Sequence, residues 1–170
     1  MSKARSLSDA LLKGWLAGVT GDVLSIGSAN DRDGAGRPYR AYFRSAASYT
    51  TSEVEPTPGC DLVLDVRAMP EIPDGRYDAL FVSGVLEHVD DCHGAVAECR
   101  RILKPGGLFF VGVPFQQRIH RAPQDFWRFT AYGLAFLLRH FDVEAVAPLG
   151  DDPKFPWTYW ARARKPEMPS

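Results

Sequence analysis

The run Leu108-Phe109-Phe110-Val111-Gly112-Val113 carries no polar side chain, so a strand built from it can bury both of its faces. Such strands belong inside parallel sheets covered by helices on either side, and that requirement decides what the rest of the chain must supply. The remaining segments supply it. Strands are expected over residues 22–27, 49–54, 61–65, 77–83, 142–148 and 157–164, each a short apolar or β-branched run. A helix is expected over residues 7–18, where Leu7, Leu11, Leu12, Trp15 and Leu16 recur at helical spacing behind Ser6 and Asp9, a pair resembling a capping box. Val96, Cys99, Ile102 and Leu103 share one face of a second helix, which Pro105-Gly106-Gly107 is expected to stop. Thr130 can cap a third that carries Leu134, Leu137, Leu138 and Phe141. Alternating strands and helices of this kind define an α/β doubly wound, Rossmann-like sheet with helices on both faces.

At 170 residues the chain suits a single domain: an N-terminal helix in 1–20, a core in 21–148, and a final strand and tail in 149–170. Lys and Arg number 20 against 21 Asp and Glu, a net charge of −1 that gives no electrostatic reason to bind duplex nucleic acid. Residues 21–100 hold twice as many acids as bases, which argues against a phosphate-rich ligand there. No apolar stretch approaches a membrane span, and the N-terminal apolar residues are interleaved with charge rather than gathered as in a signal peptide. Three scattered cysteines fit a reducing compartment, so a cytoplasmic location is expected. Cys92, His93 and Cys99 lack the spacing and fourth ligand of a zinc centre, and no metal is expected.

In a doubly wound sheet, ligands bind beyond the carboxyl ends of the strands, where strand order reverses. Gly27, Glu53, Asp65 and Ser83 all stand at such expected ends. A glycine lets a ligand approach the backbone, a carboxylate at position 53 can accept both hydroxyls of a ribose, and Asp65 can accept from an exocyclic amine. Neither a Gly-x-Gly-x-x-Gly loop nor a Gly-Lys-Ser/Thr sequence is present, so pyrophosphate ligands such as NAD or ATP are disfavoured against a nucleoside without phosphates.

The series Val23-Leu24-Ser25-Ile26-Gly27, Glu53, Asp65 and Tyr77-Asp78-Ala79-Leu80-Phe81 resembles the class I S-adenosylmethionine-dependent methyltransferases, of a small type-11-like kind. Ser83-Gly84-Val85-Leu86-Glu87-His88-Val89 and Leu103-Lys104-Pro105-Gly106-Gly107 carry the resemblance further, over about residues 20–148. It implies seven strands with an antiparallel last one and S-adenosylmethionine across the strand ends. Gly27, with Ser28 beside it, would meet the methionine end. Glu53, with Val54 beside it, would take the ribose; Asp65 the adenine amine, Val66 the adenine ring, and Ser83 the amino-acid end. Arg40 would pair with the cofactor's carboxylate. The family usually has an acid where Ser25 stands and a second glycine where Ala29 stands.

A sulfonium methyl needs only an aligned acceptor and a dry site, with a base added when the acceptor is a hydroxyl. His88 and His120 are the candidate bases. The segment 118–128, with three arginines and two aromatics, suggests an anionic or glycan-related small molecule as acceptor. The acceptor lid falls to residues 114–129, residues 1–20 or a second subunit, so a homodimer is among the expectations. Two other readings stand beside the methyltransferase: a catalytically degenerate relative that binds or regulates, and a nicotinamide-dependent reductase, which the glycine loop disfavours.

Overall fold

The computed structural model describes residues 3–28 and 31–167, with the backbone alone for residues 3–5. Seven strands are β1 (Thr20–Ile26), β2 (Ser45–Glu53), β3 (Leu62–Val63), β4 (Tyr77–Ser83), β5 (Leu103–Pro114), β6 (Asp142–Leu149) and β7 (Thr158–Arg164). They form one sheet in the order β3-β2-β1-β4-β5-β7-β6. The pairs β1–β2, β1–β4, β2–β3 and β4–β5 are parallel, while β7 runs antiparallel to both its neighbours. Strand order therefore reverses between β1 and β4, and their carboxyl ends, Ile26 and Ser83, mark the crevice where such folds take ligands.

Helices α1 (Lys3–Leu16), α2 (Cys92–Ile102) and α3 (Ala131–Leu137) cover the sheet. One face packs α2 and α3 through Val96, Cys99, Ile102, Leu134 and Leu138. Asp91 caps α2 by accepting from the Gly94 amide at 2.8 Å, and Thr130 caps α3 by accepting from the Gly133 amide at 3.0 Å. The other face packs Leu12 and Leu16 of α1. Among its described residues, the crossover from β1 to β2 contains a 3-10 turn, Tyr39–Tyr42, and no α-helix. Aromatic rings fill the gap: Phe81 lies 5.0 Å from Tyr39, 5.8 Å from Phe43 and 5.6 Å from Trp160, centre to centre.

Two local expectations need correction. Ser6 and Asp9 do not cap a helix starting at 7, because α1 already begins at Lys3; Asp9 is buried, and its Oδ2 accepts from the Gly34 amide at 3.3 Å. Nor does Pro105-Gly106-Gly107 stop α2, which ends at Ile102. Those residues form a wide register shift early in β5, where Leu103 pairs with Tyr77 and Leu108 with Ala79. Cys99 is fully buried, and Cys92 Sγ donates to the Leu86 and Val89 carbonyls, so both thiols serve packing. No helix among the described residues is long and apolar enough to cross a membrane.

Candidate functional site

Two cavities open at the carboxyl ends of the strands and share Ile26, Gly27 and Gly84 as their dividing wall. The first, about 550 Å³, lies over β2 and β3 and is lined by Glu53, Val54, Asp65, Val66 and His88 among others. The second, about 410 Å³, lies over β4, β5 and β7 and is lined by Ser28, Asp31, Ser83, Glu87, His120 and Trp157 among others. Both volumes fall in the range of small-ligand sites.

Gly27 has φ +71°, and a Cβ built there would collide with the Val85 side chain. The glycine is thus demanded by the wall's own packing as well as by ligand approach. Gly27→Ala is expected to cost about 2 kcal/mol, from left-handed strain and displacement of Val85. A fall in melting temperature of about 4–8 °C in scanning calorimetry would register it.

Ser28 is committed to the scaffold. Its hydroxyl donates to the Ser25 carbonyl at 2.8 Å and accepts from the Ser52 amide at 3.1 Å, and the Gly27 and Ser28 amides both donate to the Ser52 carbonyl. These bonds stitch the end of β1 to β2 and leave neither amide for a ligand. Ala29 lies outside the described residues.

Glu53 ends β2 and is 8 % exposed, with its side chain at the larger cavity. Asp65 lies two residues beyond β3 and forms a two-pronged ion pair with Arg67, with N···O distances of 2.7–3.1 Å, which holds its carboxyl below the ordinary range. Arg67 bridges on to Asp90 at 3.0 Å. Arg40 lines neither cavity: its guanidinium donates to the Tyr49 carbonyl and stacks on the Tyr49 ring.

Asp31, which the sequence did not single out, lines the smaller cavity. Its Oδ1 accepts from Tyr49 Oη at 2.7 Å and faces Ser25 Oγ at 3.4 Å. Burial pushes its carboxyl up, against those hydrogen bonds. A carboxylate therefore stands beside Ser25 although the residue at the strand position is not acidic.

Glu87 is the second omission, although it lies within the Leu86-Glu87-His88 motif. Its side chain is 3 % exposed, and burial pushes its carboxyl up to about 7. His88 and His120 meet edge to face, 4.7 Å between centres, and each places Nε2 3.9 Å from Glu87 Oε1. Burial pushes His88 down. Residues 114–129 hold this group closed: the Phe126 and Trp127 amides donate to the Glu87 carbonyl, and Trp127 Nε1 donates to the Val89 carbonyl at 2.8 Å. Arg128 pairs with Asp125 at 2.7 Å and also donates to loop carbonyls, so it braces the loop. Arg121 lies at the larger cavity, and Arg118 is exposed.

A doubly wound sheet with a buried acid at the end of β2 and paired cavities at its switch point has the Rossmann-like architecture, in which ligands bind beyond the carboxyl ends of the strands. Residues 34–111 match the family model described as a methyltransferase domain. The likeness to that family covers 78 of the chain's 170 residues. Among curated proteins it is 42% identical over 50 residues to an uncharacterised 37.1 kDa protein from a transposon of Streptomyces fradiae. That match spans 29% of this chain and only 14% of the relative's length. Among solved structures, it resembles a Burkholderia thailandensis 1,6-didemethyltoxoflavin-N1-methyltransferase holding S-adenosylhomocysteine and 1,6-didemethyltoxoflavin (TM-score 0.69, 23% identity, 96% of this chain and 79% of that one). It also resembles the N-methyltransferase NodS of Bradyrhizobium japonicum with S-adenosylhomocysteine (0.66, 16%, 96% and 88%). The [4+2]-cyclase SpnF is a third such neighbour (0.72, 18%, 96% and 81%).

Proposed function

We propose that this chain is an S-adenosylmethionine-dependent methyltransferase acting on a small-molecule acceptor. The observation that carries the reading is the buried Glu53 carboxylate at the end of β2, facing an open cavity that meets a second one across Gly27 and Gly84. The donor set fits the cofactor: Glu53 accepts from the ribose hydroxyls, Val66 and Val54 flank the adenine, and Asp65 takes its amine after yielding part of its pairing with Arg67. Asp31 takes the role of the family's strand-end acid, accepting from the ammonium of the amino-acid end near Ser83. Arg40, turned onto Tyr49, leaves the cofactor's carboxylate to other donors.

S-adenosylmethionine, when bound, supplies a methyl already activated on a sulfonium. The protein then has to position an acceptor and exclude water. The smaller cavity does this, with Trp157, Trp160 and Tyr39 as apolar walls and Gln117 and Thr158 as polar contacts. Its volume admits a small molecule, and the Burkholderia neighbour holds one, 1,6-didemethyltoxoflavin. Arg128 is committed to Asp125, Arg121 lies at the larger cavity and Arg118 lines neither, so recognition of an anionic or glycan-related acceptor is left to the polar lining of the smaller cavity. His88 and His120 remain the groups placed to manage the proton of a hydroxyl acceptor, in the company of Glu87.

A binding protein without turnover is the competing reading, favoured by the Arg67 clasp on Asp65. Calorimetry with S-adenosylhomocysteine separates these readings from no binding at all. One site per chain is expected, and Asp31→Asn should weaken it about tenfold, the worth of one charge-assisted hydrogen bond. Failure to bind sinks both readings. Binding with no slow conversion of S-adenosylmethionine in any acceptor mixture favours the second.

A further inference from the structure

Nothing described above accounts for the way Glu87, His88 and His120 face each other. His88 Nδ1 lies 2.5 Å from the Gln124 carbonyl, and His120 Nδ1 lies 3.1 Å from the Arg118 carbonyl. A carbonyl oxygen can only accept, so each Nδ1 carries the proton. In the neutral rings both Nε2 lone pairs then turn inward, and both stand 3.9 Å from Glu87 Oε1. Glu87 Oε2 is buried and has no hydrogen-bond partner among the described residues. Two lone pairs and a buried carboxylate thus converge with nothing positive between them, an arrangement that costs free energy unless a cation fills it.

We propose that Glu87, His88 and His120 form a binding site for a divalent first-row transition-metal ion. Two imidazoles and one carboxylate on adjoining walls are a donor set such ions take, leaving further positions open. The three donor atoms lie within 4.8 Å of one another. A tetrahedral ion with bonds of about 2.1 Å holds its donors about 3.4 Å apart, a contraction that side-chain rotation supplies. The outer partners match as well: metal-binding histidines donate their other ring N–H to carbonyls or carboxylates, as both do here. His120 is further held by Asp125, whose Oδ2 accepts from the His120 amide at 2.7 Å and lies 3.4 Å from its Nδ1. Glu87 and His120 line the smaller cavity and His88 the larger, so the site lies at their junction. Where the methyl-transfer reading holds, an ion there would lower the pKa of an acceptor oxygen so that its proton is lost to solvent, the imidazoles holding the ion instead of taking the proton themselves. Cys92, His93 and Cys99, the cluster that prompted the expectation of no metal, take no part.

The test is calorimetric titration of chelator-stripped protein with Zn²⁺ alone, paired with the visible spectrum of Co²⁺-loaded protein. One equivalent should bind, with cobalt bands free of thiolate charge transfer. Glu87→Gln and His120→Gln should each weaken binding by more than the roughly 10–100-fold seen for loss of an outer partner. His93→Gln should leave it unchanged. Glu87→Gln removes a buried charge, so its apoprotein should melt no lower than the wild type. Absence of stoichiometric binding would mean that a proton, not an ion, fills the gap, and would overturn the proposal. So would retention of binding in either ligand variant, or an equal loss in His93→Gln. S-adenosylhomocysteine binding to stripped protein, measured alongside, keeps failure of the metal site distinct from failure of the methyltransferase reading.

Discussion

Glu53→Ala is expected to weaken S-adenosylhomocysteine binding about a hundredfold. A charge-assisted hydrogen bond is worth about 1.5–3 kcal/mol, and one carboxylate serving two ribose hydroxyls makes two. Even at the low end they sum to about 3 kcal/mol, which is about a hundredfold in affinity. The backbone keeps its place without the side chain: the Glu53 carbonyl accepts from the Leu64 amide at 2.8 Å, and β2 is held on both sides by β1 and β3. Glu53→Gln keeps the shape without the charge and should fall between the two. Calorimetry on wild type and both variants decides it, and equal affinity across the three would show that the sugar lies elsewhere.

What could be foreseen from sequence follows how local each signal is. The run 108–113 fixed a buried central strand because burial on both faces is written in consecutive residues, and Val23–Gly27, Glu53 and Ser83 marked strand ends for the same reason. The early start of β5 was not legible. Lys104-Pro105-Gly106-Gly107 has the composition of a helix stop, and only pairing with Tyr77 and Ala79 draws it into the sheet. The aromatic packing of the β1–β2 crossover was hidden too, since Tyr39 and Phe43 pack on Phe81, which comes from another strand. The site shows the same division. Asp31 reaches Ser25 by way of Tyr49 on the adjacent strand, and His120 meets His88 only because Asp125, Arg128 and the Glu87 carbonyl fold residues 114–129 back over β4. Contacts assembled by loops leave no periodicity to read.

Asp33→Ala should lower the melting temperature by about 6–12 °C, by loosening the loop that walls the smaller cavity. Asp33 has a fully buried side chain, and four donors converge on it: Tyr42 Oη at 2.6 Å, Arg37 Nε at 2.7 Å, and the Ala35 and Arg37 amides at 2.8 Å. Burial alone would raise this carboxyl, but the hydrogen bonds from Tyr42 and Arg37 win and hold it well below the ordinary carboxylate range. Truncation leaves a buried tyrosine hydroxyl and two amides without their acceptor. Because Arg37 is half exposed and can rehydrate, the low end of a broken buried pair applies, about 3 kcal/mol. At 2–4 °C per kcal/mol for a chain of about this size, the shift follows. Its pH dependence carries a sign. A carboxyl depressed in the folded state stabilises fully above its ordinary value of 3.8 and loses that contribution as pH falls below it. The gap between wild type and Asp33→Ala should therefore be widest near neutrality and should narrow between pH 4 and pH 2. A gap that stayed constant on acidification would mean that the four contacts do not depend on the charge at Asp33, and that the loop is held by its turn geometry instead.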